Sequence, residues 1–290
     1  MVDISSQLVR ALLEAQFPHW ASLPIVPVEP GGWDNRTFRL GDAMAVRMPS
    51  AECYAEQVEK EQRWLPWLAS QLSVAVPASL AIGNPGAGYP WKWSVYRWID
   101  GETVETASDV DRKQLASELA RFLAELQSLD AAAAPAPGAH NFHRGGALSI
   151  YDEQTRSAIA ALGAEIDAEH ATEVWDEALA TSWDRAPVWI HGDVAAGNLL
   201  LKDGRLNAVI DFGCCAVGDP ACDLVAAWTI FDAGSAEIFR RSLPLDPATW
   251  QRARGWALWK ALITLVDEVQ AGAANAGRTR ALIARILTQR

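Results

Sequence analysis

The spacing of apolar positions changes character twice along the chain. Leu8, Leu12, Leu13 and Phe17 recur on one helical face, Asp3 or Ser5 stands where an N-cap belongs, and Pro18 ends the run. Short apolar runs split by prolines and glycines follow. Ile25, Val26 and Val28 between Pro24 and Pro30 read as an edge strand, since proline offers no N–H to a ladder. Gly31-Gly32-Trp33-Asp34-Asn35 interrupts it as a loop. Residues 37–40 and 43–48 flank Gly41-Asp42 and predict a hairpin. Helical spacing returns over 51–70, with Tyr54, Val58, Trp64, Leu65 and Leu68 as its apolar members. Residues 93–99 predict another strand, reached through a Gly/Pro-rich turn over 83–90. The front of the chain is therefore a small sheet carrying one helix.

The second half is mostly helical. Ser108 or Asp109 opens an amphipathic helix with Leu115, Leu119, Phe122, Leu123 and Leu126 on its apolar face. Residues 131–146 are small and proline-rich, and read as an ordered surface loop. Helical patterns occupy 152–181 and nearly everything after 220, with a break at Leu243-Pro244. Between them, Val188-Trp189-Ile190 is a short strand, and Asp203-Gly204 joins the runs 198–202 and 206–210 as a hairpin. The expected division is a β-rich lobe over 1–99 and a helical lobe over 100–290.

The polar residues around that hairpin suggest chemistry. In His191-Gly192-Asp193-Val194-Ala195-Ala196-Gly197-Asn198, an aspartate and an asparagine share a loop just after a strand. The hairpin then returns Asp211-Phe212-Gly213 toward the same end, so Asn198 and Asp211 are expected to lie close together. A carboxamide oxygen and a carboxylate are hard ligands of the kind Mg²⁺ takes beside phosphate and water. Asp193 is then placed to receive a proton from a hydroxyl, a combination that fits phosphoryl transfer.

Composition narrows the classes. The 290 residues are 50% hydrophobic and 21% charged, which excludes disorder over most of the length. The net charge of -11 repels nucleic-acid backbones and favours cationic small molecules. No apolar run approaches the roughly 18 residues of a membrane span, and the N-terminal segment lacks the features of a signal peptide. Four cysteines (Cys53, Cys214, Cys215 and Cys222) make no disulfide framework and lack zinc spacing. A cytoplasmic monomer or weak dimer is expected, binding neither nucleic acid nor membrane.

The three segments 191–198, Ile210-Asp211-Phe212-Gly213 and Gly218-Asp219-Pro220-Ala221-Cys222-Asp223-Leu224 resemble those of the aminoglycoside phosphotransferase family, antibiotic and small-molecule kinases of the protein-kinase-like fold. The resemblance implies an α+β, two-lobed fold, with a small β-rich N-lobe carrying one helix and a larger helical C-lobe carrying the catalytic hairpin. It makes Asp193 the catalytic aspartate, gives Mg²⁺ to Asn198 and Asp211, and leaves Asp219 and Asp223 as braces. His191 would hold the catalytic loop. Gly31, Gly32 and Asn35 fall in the nucleotide loop. Arg47 occupies the strand position of the usual lysine, with Glu61 as its expected partner and Glu59 as the alternative. Backbone groups over 94–99, Tyr96 among them, would receive the base of ATP or GTP. The implied substrate is an aminoglycoside or another cationic antibiotic. Macrolides, a metabolic substrate of the choline or amino-alcohol type, and a nucleotide-binding pseudoenzyme scaffold stay open. Among the fourteen tryptophans, Trp228 is the one expected to stack on a substrate.

Overall fold

The computed structural model describes residues 2–29, 31–32 and 34–289. The chain folds as two compact units, one holding the residues up to Glu102 together with Leu200–Cys214, the other holding Thr103–Leu199 and the residues from Cys215 on.

In the first unit, α1 (Ser6–Gln16) is capped by Ser5, whose hydroxyl accepts the Leu8 N–H. Its Val9, Leu12 and Leu13 pack with Phe38, Leu40 and Val46, the inward residues of the hairpin β2 (Asn35–Leu40) and β3 (Met44–Pro49). With β1 (Ile25–Pro27), β4 (Ser79–Gly83) and β5 (Trp93–Arg97) these strands form an antiparallel sheet in the order β1-β2-β3-β5-β4. The proline-rich β1 is indeed at an edge. β4 is absent from the sequence reading because its apolar Leu80 and Ile82 are exposed, which hides the alternation of a half-buried strand. Helix α2 (Glu52–Gln71) follows β3 and buries Val58, Leu65 and Leu68.

β6 (Glu102–Thr103) lies at the boundary of the units, and β7 (Val188–Ile190) belongs to the second. The hairpin of β8 (Leu199–Lys202) and β9 (Arg205–Val209) turns at Asp203 and Gly204, with φ of 52° and 73°. Two consecutive left-handed residues are what a tight twisted hairpin requires, and Asp-Gly supplies them. The Val209 N–H donates to Ala75 O at 3.0 Å and the Ala75 N–H to Asn207 O at 3.3 Å, which fastens this late segment to the front of the chain.

The second unit is helical. α3 (Arg112–Gln127) starts later than its apolar pattern suggests, because the Asp111 side chain accepts the Lys113 and Gln114 N–H groups. The pattern over 152–181 resolves into α4 (Asp152–Leu162) and α5 (Ala168–Leu179), divided at Gly163 with φ 47°. β7 pairs antiparallel with β10 (Ala216–Gly218). Then come α6 (Ala226–Thr229), α7 (Ala233–Ser242), α8 (Pro247–Gln270) and α9 (Ala276–Thr288). α8 is the core of the unit, with 252–259 entirely buried. Trp228 is a correction: it is 1% exposed, its Nε1 donates to Gln289 O at 3.3 Å and Arg240 lies over its ring, so packing and not a ligand uses its faces. Cys214, Cys215 and Cys222 are buried, and none of them forms a disulfide. Among the described residues no helix is long and apolar enough to cross a membrane.

Candidate active site

In the second unit the chain leaves β7 and turns through His191 and Gly192. Both N–H groups donate to the Asp223 carboxylate at 2.7 Å, and Gly192 takes the left-handed φ of 83° that aims its N–H there. Asp223 is fully enclosed, and burial pushes its carboxyl up while the two N–H donors oppose that shift. The His191 Nδ1 accepts the Asp193 N–H at 3.2 Å, so Nδ1 is the unprotonated ring nitrogen. Asn198 closes the loop: its Nδ2 donates to Asp193 O at 2.9 Å and to Asp193 Oδ2 at 3.1 Å. The amide nitrogen is thereby committed to Asp193, leaving the carboxamide oxygen as the acceptor. Asp193 itself is only partly buried, and beside it opens a cavity of about 240 Å³.

Asp219 caps the segment that carries Asp223. It accepts the Ala221 N–H at the start of the 3₁₀ segment Pro220–Val225 and forms a two-pronged ion pair with Arg252 of α8, at 2.6 and 3.2 Å. Gly218 is required beside it, because a Cβ there would lie 2.2 Å from Gly145 O. Asp219 and Asp223 thus both hold backbone N–H groups.

In the first unit, Arg47 of β3 donates through Nη1 to both Glu61 oxygens at 3.1 and 3.3 Å, and through Nη2 to Asp211 Oδ1 at 2.7 Å. Of the two carboxylates considered for it, Glu61 is the partner; Glu59 pairs with Lys92 instead. Burial would lower the Arg47 pKa, but the Asp211 and Glu61 charges outweigh it and hold the guanidinium above its ordinary range. Tyr96 of β5 donates its hydroxyl to Glu61 Oε2 at 2.6 Å, and burial followed by that carboxylate pushes its phenol well up. Its side chain therefore fixes Glu61 instead of standing at an open edge. The backbone of β5 is likewise committed, running between β3 and β4 in the sheet, while the Arg97 and Trp98 N–H groups donate to Ala78 O and Ala43 O at 2.8 Å. Asp211 holds a left-handed φ of 68°, unusual for a residue with a side chain, directly before the 3₁₀ turn Phe212–Cys214.

Gly31 and Gly32 are exposed, with nothing within 4 Å of a Cβ at Gly31. Asn35 is not in that loop as expected: it is the first residue of β2, buried and paired with Pro49. Trp33 lies outside the described residues. The expected site residues thus sort into two clusters, Arg47–Glu61–Tyr96–Asp211 in one unit and Asp193–Asn198 in the other, while Gly31 and Gly32 are exposed. The roles of Tyr96 as an anchor of Glu61 and of Arg252 as the partner of Asp219 were not legible; Arg252 is one of several charged residues along its helix, and nothing in the sequence sets it apart.

The sequence matches the phosphotransferase enzyme family over residues 25–256, whereas a search of curated proteins finds no match. Among solved structures, the chain is similar to the GDP complex of an aminoglycoside 2'-phosphotransferase-IIIa, with a TM-score of 0.72 at 17% identity over 98% of this chain and 99% of that one. It is similar to a streptomycin-ATP-APH(2")-IIa ternary complex, with a TM-score of 0.63 at 19% identity over 97% and 95%. It is also similar to a macrolide 2'-phosphotransferase apoenzyme from Brachybacterium faecium, with a TM-score of 0.62 at 24% identity over 97% and 99%. The fold is the protein-kinase-like α+β fold of these enzymes, and the chain belongs to the phosphotransferase enzyme family.

Proposed function

We propose that the protein transfers the γ-phosphoryl group of ATP or GTP to a hydroxyl group of a small molecule. The observation that carries this is the fixing of Asp193: its carboxylate is held by the Asn198 amide, its N–H by His191, and its loop by buried Asp223, beside a cavity. A carboxylate so placed takes the proton of an attacking hydroxyl. The hydroxyl oxygen bonds to the γ-phosphorus, the bond from that phosphorus to the β,γ-bridging oxygen breaks, and the proton passes to Asp193. Arg47, with Nη1 on Glu61 and Nη2 on Asp211, brings its positive charge to the phosphates, oriented by Glu61, which Tyr96 fixes in turn. Gly31 and Gly32 allow close approach of backbone to phosphate, and Asn35 begins the strand that follows. The base edge meets backbone beyond β5, after Trp98.

The Asn198 carboxamide oxygen and the Asp211 carboxylate would hold Mg²⁺. Two hard oxygen donors are what this ion takes from a protein when phosphates and water complete its shell, and when bound it neutralises triphosphate charge. Nucleotide complexes among the similar structures, one with GDP and one with ATP, support the donor. For the acceptor, streptomycin in one of them and the acidic surface of this chain favour an aminoglycoside or another cationic compound; the cavity wall favours a different class, treated below. A cytoplasmic monomer or weak dimer is part of the same proposal.

The test measures ADP or GDP release by the full chain with Mg²⁺ and a panel of hydroxyl compounds. Asp193→Asn should lower kcat by about 10²- to 10⁴-fold, the usual contribution of a positioned base, while Mg²⁺-nucleotide still binds. Near-normal turnover in that variant would remove Asp193 from the mechanism, and a chain that binds nucleotide without acceptor-dependent release would be a scaffold.

A further inference from the structure

The cavity beside Asp193 is built wholly from the second unit, and its wall has a one-sided chemistry. Val194, Val225, Ile230, Ala261 and Leu282 make much of it apolar. Asp193, the attacking end, is the one carboxylate among its lining residues, whereas Arg144 and Lys260 bring two cations. The Arg144 guanidinium lies 4.8 Å from the Trp259 ring centre and 5.4 Å from that of Trp256, and among the described residues no carboxylate forms an ion pair with it or with Lys260. Two N–H groups of the same wall, Arg144 Nε and Trp256 Nε1, are enclosed without an acceptor. The side-chain acceptors of the wall are Asp193 and the hydroxyls of Thr229, Thr264 and Thr279, so Asp193 is its one anionic acceptor against the two cations. Glu268, on the same side of α8 two turns beyond Lys260, is not a lining residue, and its Oε1 takes the Asn275 amide.

A polyamine needs the reverse of this arrangement, because each ammonium brought into the cavity meets the like charges of Arg144 and Lys260 and, beyond Asp193, finds only neutral side-chain oxygens. Resting on the kinase reading above, we infer that the acceptor is a hydroxyl compound with an apolar body and an anionic group, such as a carboxylate, and not a polycationic aminoglycoside. The hydroxyl faces Asp193, the body lies against the aliphatic wall, and the anion pairs with Lys260 and Arg144.

Matched probes test the class. The full chain, saturated with Mg²⁺ and a non-hydrolysable ATP analogue, is titrated calorimetrically with ω-hydroxydecanoate, with ω-aminodecanol of the same length, and with kanamycin; ADP release with ATP follows for each. The hydroxy acid should bind about tenfold more tightly than the amino alcohol, as expected when two partly exposed cations attract one probe and repel the other, and it alone should stimulate release. Lys260→Glu, at an exposed helical position that tolerates the change, should erase or invert that ratio. Equal or tighter binding of the amino alcohol or kanamycin, no binding of the hydroxy acid, or an unchanged ratio in Lys260→Glu overturns the inference. Failure to bind the Mg²⁺-nucleotide in the first step would instead overturn the kinase reading.

Discussion

Arg47→Met isolates what the bridging arginine contributes, since methionine keeps an apolar stem and withdraws both ion pairs. The two carboxylates left behind differ in exposure. The Glu61 side chain is 5% exposed and would retain the Tyr96 hydroxyl, whereas Asp211 is 28% exposed and can recruit water. Most of the loss therefore falls on Glu61. Removing one partner of a buried pair costs about 3–5 kcal/mol, and the partial exposure of Asp211 puts this case near the low end, at about 3 kcal/mol. The assay is urea unfolding with unchanged m-value, run on Arg47→Met, Glu61→Gln and the double variant. Glu61→Gln removes the stranded charge, so the double variant should be more stable than the sum of the singles predicts, with a coupling of about 1–3 kcal/mol. Arg47→Lys should fall between, because one ammonium cannot reproduce a fork whose two nitrogens serve different carboxylates. A loss below about 1 kcal/mol, as for an exposed pair, or strict additivity in the cycle, refutes the bridge as a structural element.

Two further perturbations concern the supports of the site. Gly213→Ala would set a methyl 2.5 Å from Gln57 Oε1 and 2.8 Å from its Cδ, and Gln57 is buried on α2; thermal unfolding should show a loss of about 1–3 kcal/mol that Gln57→Ala largely restores, and no restoration would place the strain elsewhere. Arg252→Met strands Asp219, whose side chain is 7% exposed, and should cost about 3–5 kcal/mol in chemical denaturation; adding Asp219→Asn should recover part of it, and an equal loss in both variants would mean the ion pair is not the source.

What was legible in the sequence is what a local pattern can carry. Asp203-Gly204 fixes a tight hairpin because both residues accept positive φ, and the loop before it follows from a strand that ends at Ile190. The pairing of Arg47 with Glu61 could be reasoned from a strand followed by a helix that packs on the same sheet. Three things could not. Leu80 and Ile82 face outward on β4, so apolar character pointed to no buried face. Asn35 belongs to a strand because it pairs with Pro49, which is a tertiary fact that its glycine neighbours obscure. Tyr96 meets Glu61 only because β5 runs beside β3 with Ala45 opposite Tyr96, a register that no spacing along the chain encodes.

Charge gives the same lesson at a larger scale. The net charge of -11 sums over the whole surface, and its field at a given cavity depends on which charges lie within about a Debye length of roughly 8–10 Å. The charged side chains that line the cavity beside Asp193 are two cations and one carboxylate, opposite in sum to the whole chain, with the buried Asp223 carboxylate behind them at Gly192. An acidic protein can thus attract a cationic compound to its surface at long range and still reject it at the point where a hydroxyl must meet Asp193. Long-range attraction raises encounter rates, whereas discrimination between acceptors is decided by the groups they touch. Salt separates the two effects: raising ionic strength should weaken the surface attraction first, and the preference between matched anionic and cationic probes should persist while their encounter with the surface is screened.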